Sequence, residues 1–332
     1  MNALLTFISV IFILWIGRTV LLPLIIAVLF WYLVNILADY YKGLVRSRIA
    51  AGILSGATFV CGMYFFLRQI NPMFGELYAK APEISAGAQR IMADLSEIIG
   101  SSVSFSDLPS ATEIITTIGS SAMSIGTALG LISVYMTFIF LEQWTFSKKL
   151  KALLPDVRRF NKMKFIIHSI DTHMKKYIAV KTIISFLTGV SSYILFKALG
   201  IDLAGVWAFI VFVLNYIPTI GSIVAGALPA IYAFALTGDL QVPLLSATGS
   251  IIINFILGNI LDPKMMGKTL NLSTLAILVN LVFWGLMWGP TGMFFSVPIL
   301  VMTLIVCAQF DKTRWIAILL SADGKIPDKI GE

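Results

Sequence analysis

Leu203–Tyr216 is apolar, Ile217-Pro218-Thr219-Ile220-Gly221 interrupts it, and Ser222–Leu236 is apolar again. The pattern returns as Leu272–Trp288, then Gly289-Pro290-Thr291-Gly292, then Met293–Ala308. At 1.5 Å rise per residue, the 14 residues before Pro218 reach only about 21 Å, short of a roughly 30 Å hydrocarbon core. Broken helices persist in a membrane only where the freed backbone groups are buried in protein or line a wet cavity. A pair of short apolar segments interrupted by proline and glycine points to the solute site of a transporter.

The remaining sequence fits a membrane setting. Of 332 residues, 58% are hydrophobic and 12% charged, about half the roughly 25% charge of soluble domains. Mean hydropathy is +0.92. A water-soluble core of this size has no room for so much apolar surface. The expected fold is all-α and polytopic, with about eight transmembrane helices including or plus the broken, re-entrant hairpins. Apolar runs fall at Leu4–Ile16, Thr19–Ala38, Ile49–Leu67, Met123–Leu141, Tyr177–Leu199 and Val242–Leu261, besides the two broken segments. Leu4–Ile16 has no basic n-region before it and no small-residue cleavage site after it, so it reads as a retained membrane segment. Cys61 and Cys307 lie in separate apolar runs, forming neither a disulfide framework nor a zinc spacing, and are expected as small core residues.

Basic residues beside the spans set the orientation. Residues 142–176 carry nine Lys/Arg against Glu142, Asp156 and Asp171. The loop Tyr40–Arg48 adds Lys42, Arg46 and Arg48 without an acid, whereas Arg68–Ala122 has three bases and six acids. The first two stretches are therefore expected inside and the third outside, with both termini cytoplasmic. The expected organisation is scaffold spans (1–67), an extracytoplasmic helical hairpin (68–122), a fourth span (123–141) and a basic cytoplasmic helical segment (142–176). A transport core (177–308) and a cytoplasmic tail (309–332) follow. The outer stripe Ile84, Ala88, Ile91, Leu95 and Ile98 has helical spacing, ends at Gly100-Ser101-Ser102, and is followed by possible caps at Asp107 or Ser110. Phe165, Ile166, Ile170, Met174 and Tyr177 carry a helical stripe into the fifth span. The basic loop, most of the net +7, has no nucleic-acid reader motif beside it and serves as a topology signal that attracts anionic lipid.

No enzyme constellation, P-loop, cofactor motif or metal spacing is present. His168 and His173 are five apart and do not stack on one helix face. Asp39, Glu142, Asp202, Asp239 and Asp262 all lie at or beyond the ends of apolar runs. Asp262, with Pro263 and Lys264, is the candidate gate or coupling group, or else part of a plain helix-ending turn. At the breaks the chemistry is that of the backbone. A new half-helix starts after Gly221 and after Gly292, and its first four N–H groups lack intrahelical partners, which suits an anionic or oxygen-rich solute. The candidate substrate-binding set is Asn215, Pro218, Thr219, Gly221, Ser222, Asn254, Asn259, Pro290, Thr291 and Gly292. The alternative is that proline and glycine only permit close helix packing. Trp284 and Trp288 read equally as interface-belt residues or a solute platform.

Three stretches bear a resemblance. They are Tyr177-Ile178-Ala179-Val180-Lys181-Thr182, Asn215 to Ser222, and Gly258 to Lys268 through Asn259-Ile260-Leu261-Asp262-Pro263-Lys264. With Leu272-Ser273-Thr274-Leu275, Trp288-Gly289-Pro290-Thr291-Gly292-Met293 and Ser296-Val297-Pro298, they resemble the autoinducer-2 exporter family of bacterial membrane proteins. Many members have Gly-Gln where this chain has Val180-Lys181, and the matching branch usually has Glu at the position of Asp262. The resemblance implies a multispan inner-membrane protein that forms homo-oligomers, pentamers in particular, around an elevator-like moving domain. It implies export of a small polar signal molecule such as autoinducer-2, or sodium/proton antiport with Asp262 as the titrating group. A non-transporting oligomeric scaffold is the remaining expectation, and the expected partners are membrane lipid and a small-molecule substrate.

Overall fold

A computed structural model describes residues 3–45, 47–87, 89–90, 111–266 and 271–326. Its elements, apart from one β-bridge between Leu272 and Ser321, are helical: α1 (Ala3–Ile16), α2 (Arg18–Leu44), α3 (Arg48–Ala79), α4 (Ala111–Leu153), α5 (Val157–Ala198), α6 (Ala204–Leu214) and α7 (Ile220–Thr237). Then come α8 (Gln241–Asn254), a π-helical turn (Phe255–Leu261), α9 (Asp262–Met266), α10 (Thr274–Ala308) and α11 (Arg314–Leu320). Among the described residues, six helices are long and apolar enough to cross a bilayer, seven if the bent pair Ala128–Gln143 and Thr145–Leu153 counts as one span. The all-α polytopic expectation holds, and the 14-residue α1, too short to count among these spans, accounts for the eighth segment read from the sequence.

Burial is arranged for lipid. Large apolar side chains point outward on most helices, as with Ile53, Phe138, Ile194, Ile231 and Leu286. Small polar residues pack inside: Ser55, Ser185, Thr188, Ser192, Ser246, Ser250 and Ser296 are at most 1% exposed. Lipid tails are as apolar as leucine, so helices associate through close packing of small residues and hydrogen bonds between them. Cys61 corrects the expectation of a buried thiol: it is exposed on α3, and Cys307 is half-buried. An apolar run does not by itself tell a lipid-facing position from a core one.

Asp156 starts α5 by accepting the Arg159 backbone N–H on Oδ1 at 3.0 Å, an N-cap that follows Pro155. That amide, aided by the charges of Arg158 and Arg159, holds its carboxyl below the usual carboxylate range. The 42-residue helix so begun joins the basic stretch before Tyr177 to the fifth apolar run without interruption. Ile166, Met174 and Tyr177 of the sequence stripe are buried, whereas Phe165 is exposed. Helix α3 continues past Leu67 to Ala79, and Leu77 and Ala81 then pack on Val206 at the start of the first broken segment. Residues 81–87 are helical and Ile84 joins that packing. Ala88, Ile91, Leu95, Ile98, the Gly100 break and the caps at Asp107 and Ser110 lie outside the described residues.

Both broken segments fold back on themselves. In the first, Trp207 lies 4.9 Å from Tyr232, ring to ring, and Val211 shares a core with Ala225. Pairs whose numbers converge on Pro218 define two antiparallel limbs. A β-carbon on Gly221 would overlap the Leu214 carbonyl, so only glycine lets the limbs close. At the bend Thr219 adopts φ 61° and ψ −61°, and the Ile220 N–H donates to the Pro218 carbonyl at 2.6 Å. This is a γ-turn of the rare hand, which holds a β-branched residue where glycine is usual, at a cost of about 1–3 kcal/mol.

In the second, α10 is two helical limbs that meet at Gly289, whose φ of 66° and ψ of −150° are open essentially to glycine. Asn280 Nδ2 donates to the Ser296 carbonyl at 2.5 Å. In a straight helix residues sixteen apart would be about 24 Å away, so the bond requires a hairpin. Gly292 again admits a neighbouring carbonyl, that of Trp284, where a β-carbon would sit.

The chain divides into two compact units. One holds Met1–Gly56, Ala128–Val180 and Met265–Glu332; the other holds Ala57–Thr127 and Lys181–Lys264. The first hairpin belongs to the latter and the second hairpin to the former. In the former unit the tail folds back: Ser273 N–H donates to the Leu320 carbonyl at 2.8 Å, and Ala317 packs against Leu304 and Ala308.

Substituting Gly221 or Gly292 by Ala is expected to destabilise the detergent-solubilised protein by about 1–3 kcal/mol through overpacking against backbone, read as a lower melting temperature. Thr219→Gly should stabilise it by about 1 kcal/mol, because relief of the turn strain exceeds the added chain entropy. A drop in melting temperature for Thr219→Gly would refute the strained turn.

Candidate functional site

A cavity of about 670 Å³ opens beside the first hairpin and lies wholly within the unit containing Lys181–Lys264. The bend contributes Asn215, Ile217, Pro218 and Thr219, α7 contributes Ser222, Ile223, Gly226 and Ala227, and α5 contributes Lys181. The opposite wall is a row from α8 through the π-turn: Ala247, Ile251, Asn254, Phe255, Gly258, Asn259 and Asp262. Its volume lies within the roughly 300–1,000 Å³ of small-ligand sites.

Asn215 is 8% exposed, and its Nδ2 donates to Ser185 Oγ at 3.0 Å. The neighbouring Tyr216 hydroxyl and Thr182 Oγ1 are 2.9 Å apart. These two bonds tie the bend to α5 and fix which way the Asn215 amide presents its oxygen. Asn254 commits its Nδ2 to the Ser250 carbonyl at 2.9 Å, and Ser222 commits its hydroxyl to the Thr219 carbonyl at 2.9 Å. Asn259 and Thr219 are exposed in the wall.

Lys181 Nζ and Asp262 Oδ2 form an ion pair at 3.0 Å, with side chains only 12% and 15% exposed. Asp262 does not end a helix. The Asp262 N–H donates to the Leu257 carbonyl, five residues back, and the helical path runs on to Met266. Pro263 has no N–H and crowds the carbonyl four residues behind it. The wide π-turn just upstream takes up that misfit, and such turns are frequent at functional sites. Continuing the helix turns Asp262 into the cavity, whereas Pro263 and Lys264 are exposed and outside its lining.

The bend's amides are largely spent. Besides Ile220, the Gly221 N–H donates to the Ile217 carbonyl at 3.1 Å and the Ile223 N–H to the Thr219 carbonyl at 3.3 Å. The expectation of four bare donors at the start of α7 is corrected accordingly: the tight turn lets preceding carbonyls reach them. What the cavity offers is side chains.

Of the residues singled out in the sequence, Asn215, Pro218, Thr219, Ser222, Asn254, Asn259 and Asp262 come together here, with Gly221 buried behind them. Pro290, Thr291 and Gly292 do not line this cavity; they sit at the bend of α10, in the other unit. There Trp284 and Trp288, 4.4 Å apart, pack against Leu14, Leu21 and Ile25. The Trp288 indole N–H donates to the Leu14 carbonyl at 3.0 Å. Both tryptophans are core residues of that unit, and the second break closes a packed hairpin. Lys181 is the site residue that the sequence reading passed over. The available signal was a lysine four residues into the apolar run Tyr177–Leu199, since intramembrane charge marks function by default.

A second cavity of about 560 Å³ lies in the other unit, walled by Trp31, Tyr32, Phe146 and Ile170 and edged by Lys164 and His168. His173 Nδ1 contacts the Ser169 carbonyl at 2.7 Å. Among the described residues no three His, Cys, Asp or Glu side chains are grouped to hold a metal ion.

Comparison with known proteins agrees with this architecture. The profile of the AI-2E family transporters matches residues 4–312. The chain is 30% identical over 315 residues to the AI-2 transport protein TqsA of Escherichia coli K12, covering 91% of this chain and 89% of that protein. It is 43% identical over 144 residues to a Haemophilus influenzae protein whose name assigns it to transport without naming a solute, covering 43% and 41% of the two chains. A Thermotoga maritima protein of similarly general name is 24% identical over 81% of this chain. A family match across nearly the whole length, on a multi-pass helical membrane protein with a solute-sized cavity, leads to one conclusion: the chain belongs to the AI-2E family of transporters.

Proposed function

We propose that the protein exports a small, polar, oxygen-rich metabolite of the autoinducer-2 kind across the bacterial inner membrane, with both termini in the cytoplasm. The carrying observation is the cavity beside Pro218, where Asn215, Thr219, Asn254 and Asn259 face one space over apolar Ile217, Ile251 and Phe255. Amide and hydroxyl groups match a polyhydroxylated solute, and the apolar floor matches its carbon skeleton. TqsA is named for AI-2 transport, which supports the solute class. Two compact units are what an elevator-like mechanism needs, with the unit carrying Lys181–Lys264 as the moving part and a homo-oligomer, a pentamer in particular, holding the other still. Pro263 and Lys264 would edge the path into the cavity.

A second reading, cation/proton antiport through Asp262, draws support from the burial of that carboxylate. Its ion pair with Lys181 weighs against that reading, because the carboxylate is already committed to a cation.

Uptake of labelled autoinducer-2 into inverted membrane vesicles tests the proposal. The protein should raise uptake well above vesicles lacking it, and Asn259→Ala should cut it about tenfold, the equivalent of one lost solute hydrogen bond of about 1.4 kcal/mol. A proton gradient that leaves the rate unchanged marks facilitated diffusion. Uptake no greater than in protein-free controls would overturn export. Proton-coupled sodium flux abolished by Asp262→Asn would install antiport instead.

A further inference from the structure

The cavity's charge inventory is complete within itself. Among its lining residues only Lys181 and Asp262 are charged; they have opposite sign, come from α5 and the start of α9, and meet at 3.0 Å. Every other polar group in the wall is an amide or hydroxyl: Asn215, Thr219, Ser222, Asn254 and Asn259. An anion entering would need Lys181, and a cation would need Asp262, yet each is already held by the other where water screens little. Asp262 Oδ1 is enclosed and has no hydrogen-bond partner among the described residues. Among the described residues, Lys181 is the cationic partner on which its carboxylate depends. A buried pair of this kind adds little to stability compared with apolar side chains, whereas removing one member leaves a naked charge. Its placement in a solute cavity points to a role other than holding the fold.

We propose that Lys181 and Asp262 are a charge-cancelling pair that makes the cavity selective for solutes of zero net charge. The inference rests on the cavity being the solute site, and it adds the residues that determine specificity and the electrical class of solute. An uncharged polyol fits by exchanging its hydration for the amides and hydroxyls, leaving the pair intact. A charged solute must either break the pair or enter uncompensated, so discrimination arises from repulsion and desolvation as much as from attraction. It follows that each half-pair variant is selective in the opposite sense: Lys181→Met leaves a carboxylate that favours cations, and Asp262→Asn leaves an ammonium that favours anions. The pair acts on selectivity, and that separates it from a purely structural contact, which would alter stability alone.

The test uses ribitol, ribonate and ribitylamine, five-carbon solutes of similar size carrying charges of 0, −1 and +1. Binding to the purified full-length protein is followed by tryptophan fluorescence, and flux is measured in proteoliposomes. The wild type should prefer ribitol by about tenfold or more over both charged solutes. Lys181→Met should raise ribitylamine relative to ribitol by at least tenfold, and Asp262→Asn should do the same for ribonate. The double variant Lys181→Met/Asp262→Asn should return to the wild-type preference, and it keeps the test valid if a single variant folds poorly. Folded variants that bind ribitol with an unchanged charge ratio would overturn the proposal, as would a wild type that prefers a charged solute or binds none of the three. Selective binding of ribitol without flux would leave the charge filter standing and remove the transport reading instead.

Discussion

A peptide group without a hydrogen-bond partner costs several kcal/mol in hydrocarbon, and this fold is organised around that cost. Helices avoid it along their length, so the informative places are those where the helix is broken. At Pro218 the chain turns back within a few residues and still pairs the amides of Ile220, Gly221 and Ile223. It does so by holding Thr219 in a left-handed conformation and by removing the β-carbon at Gly221. The strain of that turn is confined to the wall of the cavity, where positioning of Asn215 and Thr219 depends on it.

The two hairpins solve the same geometric problem for different ends. In each, a glycine accepts a carbonyl of the opposite limb at the point of closest approach. The hairpin around Gly289 fills its interior with Trp284 and Trp288 and uses their indole N–H groups on Asn280 and on the Leu14 carbonyl. The hairpin around Pro218 leaves one side open, and α5 and the π-turn supply the rest of the wall. A similar break therefore makes a packed element in one place and a solute site in the other, according to whether bulky aromatics or small and amide side chains follow it.

Proline acts twice in this cavity by different means. Pro218 bends the chain, whereas Pro263 perturbs a helix that nonetheless continues. The π-turn before Pro263 widens the helix by one residue and carries Asp262 to Lys181, so a backbone irregularity becomes an electrostatic contact. Without the extra residue, the side chains on either side of it would face other directions, since each added residue rotates those beyond it by about 100°.

Composition and periodicity alone determined the class of this protein. Apolar runs too long for a soluble core demanded a helical membrane fold, and Pro/Gly interruptions marked where it turns back, because these residues act through the local backbone. The polar residues clustered near the first break were also legible, since Asn215, Thr219, Ser222, Asn254 and Asn259 share one cavity. Three features were decided only in three dimensions. The second break is packed shut because tryptophans of its own limb meet aliphatic side chains of α1 and α2 there. The amides at the start of α7 are occupied because the γ-turn brings earlier carbonyls back to them. Lys181 reaches Asp262 across 81 positions of chain, a distance no local pattern records, through the packing of α5 beside a helix whose register had been shifted by one residue.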